Sequence, residues 1–202
     1  MFILDSIGFG SAFALLIPLS YTPDVAYEIS GVWFAAPSVI IIFYFFNIFG
    51  QFISSSSRKK EEDSKLDVIK WGILERLGFV LIYLTLNYFL DSSLILAFFL
   101  ITYGIFVYSS GAILPAYFDL VSRVLYKHRA IFFAANLTTG SLAGFLVSRY
   151  VDFRIQEKGL IGGFSDGLLV VIAITSISLI PLILIREPKG ITQKKKKIRN
   201  LM

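Results

Sequence analysis

The sequence predicts an all-α polytopic membrane protein, a bundle of six transmembrane helices. Three observations lead there. Hydrophobic residues make up 56% of the 202, and the mean hydropathy is +0.75. The apolar residues fall in six blocks, each suited to a hydrocarbon core about 30 Å thick that takes about 20 helical residues to cross. The charged residues collect between those blocks and in a basic tail.

The first span is expected over residues 2–21, interrupted by Asp5 and Pro18. No basic stretch precedes it and an acid sits at position 5, which argues against a signal peptide. The second span covers 32–53. The third covers 68–90 and holds Glu75 and Arg76. The fourth covers 94–118 and meets no charge until Asp119. The fifth covers 130–148, and the sixth covers 167–185 and contains Pro181. These blocks are apolar all round and not amphipathic, the pattern of helices surrounded by lipid or protein on every side. Together they form a transmembrane domain over 1–186, with a basic tail over 187–202. Pro18, Pro37, Pro115 and Pro181 each remove a backbone donor and permit a bend.

Charge placement sets the expected orientation. Of the 19 Lys and Arg, all but four lie in the connections after spans two and four or in the tail. Arg58, Lys59, Lys60, Lys65 and Lys70 lie around the first connection, and Arg123, Lys127 and Arg129 in the second. The opposite side has Arg149, Arg154 and Lys158, while Arg76 lies inside span three. The positive-inside rule then puts both termini in the cytoplasm, which requires an even number of spans. The chain is expected to be integral to the cell membrane.

The same composition limits the chemistry. There is no cysteine, so no disulfide, thiolate nucleophile or cysteine-bound metal is possible. His128 is the single histidine, too few for an imidazole metal cluster and misplaced for Ser-His-Asp catalysis. Ser110-Gly111 could evoke an intramembrane serine protease, but no histidine in the spans could activate it. No enzyme activity, catalytic residue, metal or cofactor is expected. The net charge of +5 follows membrane topology and not a nucleic-acid surface, so nucleic acid is not an expected partner.

Two junctions carry a resemblance. The first reads Gly50-Gln51-Phe52-Ile53-Ser54-Ser55-Ser56-Ser57-Arg58-Lys59. It resembles the cytoplasmic loop signature of the major facilitator superfamily, of the form G-x-L-a-D-r-x-G-r-k. Ser54 stands at the aspartate position and Ser57 at the second glycine. The second junction is Pro115-Ala116-Tyr117-Phe118-Asp119-Leu120-Val121-Ser122-Arg123, followed by Arg129-Ala130-Ile131-Phe132-Phe133. It is similar to the superfamily's junction of helices four and five, with Ala130 in place of a glycine. The resemblance covers the chain as the N-terminal half of that fold. It implies a cytoplasmic gating set of Gly50, Arg58, Lys59, Asp119 and Arg129, in which Asp119 is a candidate partner for the basic pair. The alternative is that Arg58 and Lys59 serve only as topology anchors.

The resemblance also implies that helices one and four line a central cavity and that helix three lies outside. Candidate cavity residues are then Asp5, Tyr103, Tyr108, Ser109, Asn136 and Thr139. Each has a plainer reading. Closeness to Met1 favours Asp5 as a hydrated interfacial residue, and the hydroxyls and amide could simply bond between helices. Glu75 and Arg76 are neighbours whose side chains diverge by about 100° on a helix, so mutual pairing is not required, and structural anchoring with interhelical bonds is favoured over transport chemistry. Gly140-x-x-x-Gly144 reads as a close helix-packing site.

The expected function is secondary active transport of a small solute or ion, with the chain acting as half of a transporter. A separate C-terminal half or a second copy of the chain would complete it. The alternative is a non-transporting membrane protein, either a truncated remnant or a scaffold subunit. The expected surroundings are a lipid bilayer, with Lys194 to Lys197 able to attract anionic headgroups.

Overall fold

The computed structural model describes residues 2–57, 64–90, 94–124 and 127–184. They form six α-helices: α1 (Phe2–Leu16), α2 (Thr22–Ser30), α3 (Ala35–Ser57), α4 (Ser64–Tyr88), α5 (Ile95–Val124) and α6 (Arg129–Leu184). There is no strand among the described residues. α3, α5 and α6 are long and apolar enough to cross a membrane. The protein is therefore an all-α integral membrane protein. α1 is apolar but short, and α4 carries Lys65, Asp67, Lys70, Glu75 and Arg76 along its first half.

The first expected span stops early, at Leu16. Pro18 has no N–H to continue the ladder, and it biases Ile17 away from helical geometry. The chain turns through residues 17–21 and re-enters a helix at α2, with Pro23 in its first turn. The broken end of α1 is capped from elsewhere. Thr22 Oγ1 donates to the Leu15 carbonyl at 3.4 Å, and Tyr103 Oη donates to the Leu16 carbonyl at 3.0 Å. Such carbonyls have no partner within their own helix and need one when buried. α2 ends at Gly31, whose left-handed φ of 65° lets its N–H donate to the Tyr27 carbonyl. Trp33 and Phe34 follow on the exterior, suited to the headgroup level where aromatic rings concentrate.

α6 is two helices and not one. At Gly159 the backbone takes φ 76° and ψ 173°, outside helical space and open to glycine. The arms on either side, 129–158 and 160–184, fold back on each other. A methyl added at Gly163 would fall 2.5 Å from the Ile155 nitrogen, and one at Gly167 would fall 2.5 Å from Val151 Cγ2. Those pairings step outward symmetrically from Gly159, so the arms are antiparallel. Ion pairs tie the tip: Asp166 meets Arg154 at 2.6 Å and Lys158 at 2.9 Å, and Arg154 also meets Glu157. Each arm therefore runs past its apolar block. Helix continues from 148 to 158 and starts again well before 167, because the charged residues at the tip pair with one another along helical surfaces. α5 likewise continues past 118 to Val124, where Asp119 and Arg123 form an i,i+4 pair at 2.7 Å.

Packing divides the bundle into close helix pairs. α1 lies against α6, α3 against α5, and α4 against both α5 and the second arm of α6. Between α1 and α6 the backbones nearly touch. A methyl at Gly10 would sit 1.9 Å from the Gly140 carbonyl oxygen, and one at Gly144 would sit 2.9 Å from the Gly10 carbonyl oxygen. Between α3 and α5, Gly50 lies against the Tyr108 carbonyl and Gly111 against the Asn47 carbonyl in the same way. In a bilayer, where lipid is as apolar as leucine, this close van der Waals approach is a main source of helix association. Leu15, Leu16, Phe79, Ile82, Phe99, Tyr103, Phe106, Phe164 and Leu168 fill the space between the pairs. Outside, Ile41, Phe45, Ile48 and Phe52 form an exposed apolar stripe along α3 at helical spacing, as a lipid-facing surface requires.

Gly10→Ala is expected to destabilise the bundle by about 1–3 kcal/mol, because no rotamer can relieve a clash with backbone. Gly104→Ala is the matched control, since its added methyl would find its nearest atoms at 3.8 Å. Unfolding of both variants in mixed micelles checks this: Gly10→Ala should lose stability and Gly104→Ala should stay within about 0.5 kcal/mol of the parent.

Candidate functional site

A cavity of about 860 Å³ opens between α1, α4, α5 and the first arm of α6, with Thr175 of the second arm at its edge. Its wall is mostly apolar, with Phe9 and Phe13 from α1, Phe118 from α5, and Phe133 and Phe145 from α6. Three charged residues line it: Asp5, Glu75 and Arg76. Ionisable groups at membrane depth are costly and tend to be paired with one another or with backbone carbonyls.

Arg76 meets that requirement completely. Its Nε donates to the Thr175 carbonyl at 3.1 Å, and Nη2 donates to the same carbonyl at 3.0 Å and to Ser178 Oγ at 3.1 Å. Nη1 donates to the Gly72 carbonyl at 2.9 Å and to Glu75 Oε2 at 3.0 Å. A guanidinium has five N–H donors, and all five are used. Gly72 makes room for the arrangement, since a methyl there would stand 3.1 Å from Nη1. The side chains of Arg76 and Glu75 are 13% and 9% exposed, so the pair is largely out of solvent. The two residues pair although their helical directions do not require it, because the guanidinium folds back one turn toward Gly72 and brings Nη1 to the carboxylate. The bonds to Thr175 and Ser178 are the interhelical ties expected of them, joining α4 to the second arm of α6. Ser110 of α5 lines the cavity with Glu75.

Asp5 lines the same cavity. Tyr117 of α5 lines the cavity as well. The Tyr117 oxygen in turn accepts from Asn136 Nδ2 at 3.1 Å. Tyr117 and Asn136 thus join α5 to α6 beside Asp5, while Glu75 is ion-paired to the guanidinium.

The remaining candidates fall elsewhere. Tyr103 is fully buried and caps α1, away from the cavity. Ser109 is buried and donates to its own helix at the Ile105 carbonyl, and Thr139 does the same at Ala135. Neither lines the cavity. Tyr108 lines a separate apolar recess with Ile42, Phe46 and Leu74, and its ring packs edge-on against Trp71. These four hydroxyl residues drop out because the faces of an apolar helix cannot be told apart by composition. Gly140 and Gly144 occupy the α1–α6 crossing and the cavity wall together. Of the junction residues, Gly50 packs on α5, and Asp119 is engaged by Arg123 and by the Ser64 hydroxyl. Arg58 and Lys59 lie outside the described residues, as do residues 185–202 with the basic tail. Arg129 opens α6. Sequence reasoning missed Tyr117 and Thr175. Tyr117 sits seven residues before the end of α5, in the quoted junction, and its polar hydroxyl in an apolar stretch was the available signal.

No family model, curated protein or solved structure matches the chain, and none of these comparisons ties it to the major facilitator superfamily.

Replacing Arg76 alone by Gln should cost about 3–5 kcal/mol, because Glu75 is left buried without its partner. Glu75→Gln/Arg76→Gln should recover part of that loss. Unfolding of the single and double variants in mixed micelles checks this, and strictly additive losses would contradict the pair.

Proposed function

We propose that this chain is the solute-binding bundle of a secondary active transporter for a small solute, built like the N-terminal half of a major facilitator and completed by a second bundle. The observation that carries the reading is the cavity itself, with a paired guanidinium and two carboxylates lining it among membrane helices. Transporters of this type bind substrate near mid-membrane between helices and alternate access by rocking one bundle against another. The Arg76–Glu75 pair also ties helices together, so the carboxylate that speaks for ligand binding over a scaffold is Asp5, which faces the cavity. Walls from α1 and α5 support the resemblance, since these correspond to its helices one and four. The part played by α4 departs from it. The six passes would be α1, α3, α4, α5 and the two arms of α6. The positive-inside pattern supports cytoplasmic ends in the cell membrane, with the lysine tail on anionic lipid.

The test is solute uptake into liposomes bearing the purified chain under imposed proton or sodium gradients, using a panel of small organic solutes. Uptake of at least one solute above that of protein-free liposomes, dependent on a gradient, is expected. Uptake by no solute, alone or with a companion bundle, would contradict the reading.

A further inference from the structure

The chemistry of the cavity is lopsided, and the imbalance points to a class of ligand. Its three charged residues sum to a formal charge of −1 when both carboxylates are ionised. The positive member offers nothing to a ligand, because each of its five donors already meets a protein oxygen. An anion entering the cavity would find no free guanidinium hydrogen. The acceptor side differs. Glu75 is ion-paired to Arg76 at 3.0 Å, whereas Asp5 faces the cavity beside the neutral phenol of Tyr117. A carboxylate has room for about four hydrogen bonds.

We propose that the cavity binds a monovalent organic cation, with the Asp5 carboxylate as its counter-charge and the surrounding phenyl rings as the seat of its apolar body. The rings are in place: Phe9 and Phe13 lie 4.9 Å apart between centroids, and Phe118 and Phe133 lie 5.3 Å apart. Their faces favour a nearby cation, most strongly where water is excluded. A hard divalent ion is a poorer match, since it takes about six or more oxygen ligands. No cluster of three metal-binding side chains exists among the described residues. At about 860 Å³ the cavity falls in the range of small-molecule sites. The inference rests on the transport reading for its biological sense, naming the substrate class of that same site.

The experiment titrates the purified full-length chain in uncharged micelles with tetraphenylphosphonium, and separately with tetraphenylborate, an anion of nearly the same size and shape. Protein-free micelles give the baseline. Saturable binding of one tetraphenylphosphonium per chain is expected, with tetraphenylborate bound at least tenfold more weakly. Asp5→Asn should weaken tetraphenylphosphonium tenfold or more, and Asp5→Glu should restore most of it. Equal binding of the two ions by the unmodified chain would overturn the proposal without any variant. So would unchanged binding by a folded Asp5→Asn. Cation binding through Asp5 with no solute moved in liposomes would sustain the site and contradict transport. Transport of neutral or anionic solutes that Asp5→Asn leaves intact would do the reverse.

Discussion

All five N–H groups of Arg76 meet protein oxygens, and the charge of the bundle interior is organised around that saturation. The guanidinium binds two carbonyls, a hydroxyl and a carboxylate drawn from α4 and the second arm of α6. In a low-dielectric interior an unpaired charge would be prohibitive, so α4 is held to α6 at this depth. Glu75 is neutralised by the same contact. What is left over is Asp5, facing open space beside the hydrogen-bonded Tyr117 and Asn136.

Backbone proximity makes that open space possible. α1 and the first arm of α6 touch at Gly10, Gly140 and Gly144, too closely for any side chain. The crossing brings Asp5 on α1 and Asn136 on α6 to either side of Tyr117. The rings beside them, Phe9, Phe13, Phe133 and Phe145, are too bulky to enter the crossing and frame the cavity. Small residues thus set where helices meet, and large ones set where they do not. The hairpin at Gly159 completes the arrangement by returning the chain so that Thr175 and Ser178 can receive Arg76.

Much of the architecture was legible in the residues. Long apolar blocks separated by charges give an all-α membrane protein, and glycines four apart on α6 mark a face that accepts another backbone. The early end of α1 was latent in Pro18, a residue read as an interruption when it is a terminus. The length of each arm of α6 was hidden, because hydropathy ends at the last apolar residue while helix continues through paired charges such as Arg154 and Asp166. The site was half legible. Asp5 and Asn136 were visible as polar groups in apolar stretches, and both line the cavity. The Glu75–Arg76 contact was not, because adjacency on a helix argues for divergence and the reach of a folded-back guanidinium is a tertiary matter. Tyr103, Tyr108, Ser109 and Thr139 carry hydroxyls on faces that do not line this cavity. The rotation of an all-apolar helix is set by packing and leaves no periodic trace.

The central claim is that the cavity admits a charged solute, and the absence of cysteine from the chain makes its accessibility directly measurable. Single cysteines at Ser141, on the cavity wall, and at Leu146, exposed on another face of the same helix, can be compared in lipid vesicles. With a charged, membrane-impermeant thiosulfonate reagent, Ser141→Cys should react at least tenfold faster than Leu146→Cys. Equal rates, or faster reaction at Leu146→Cys, would contradict the account.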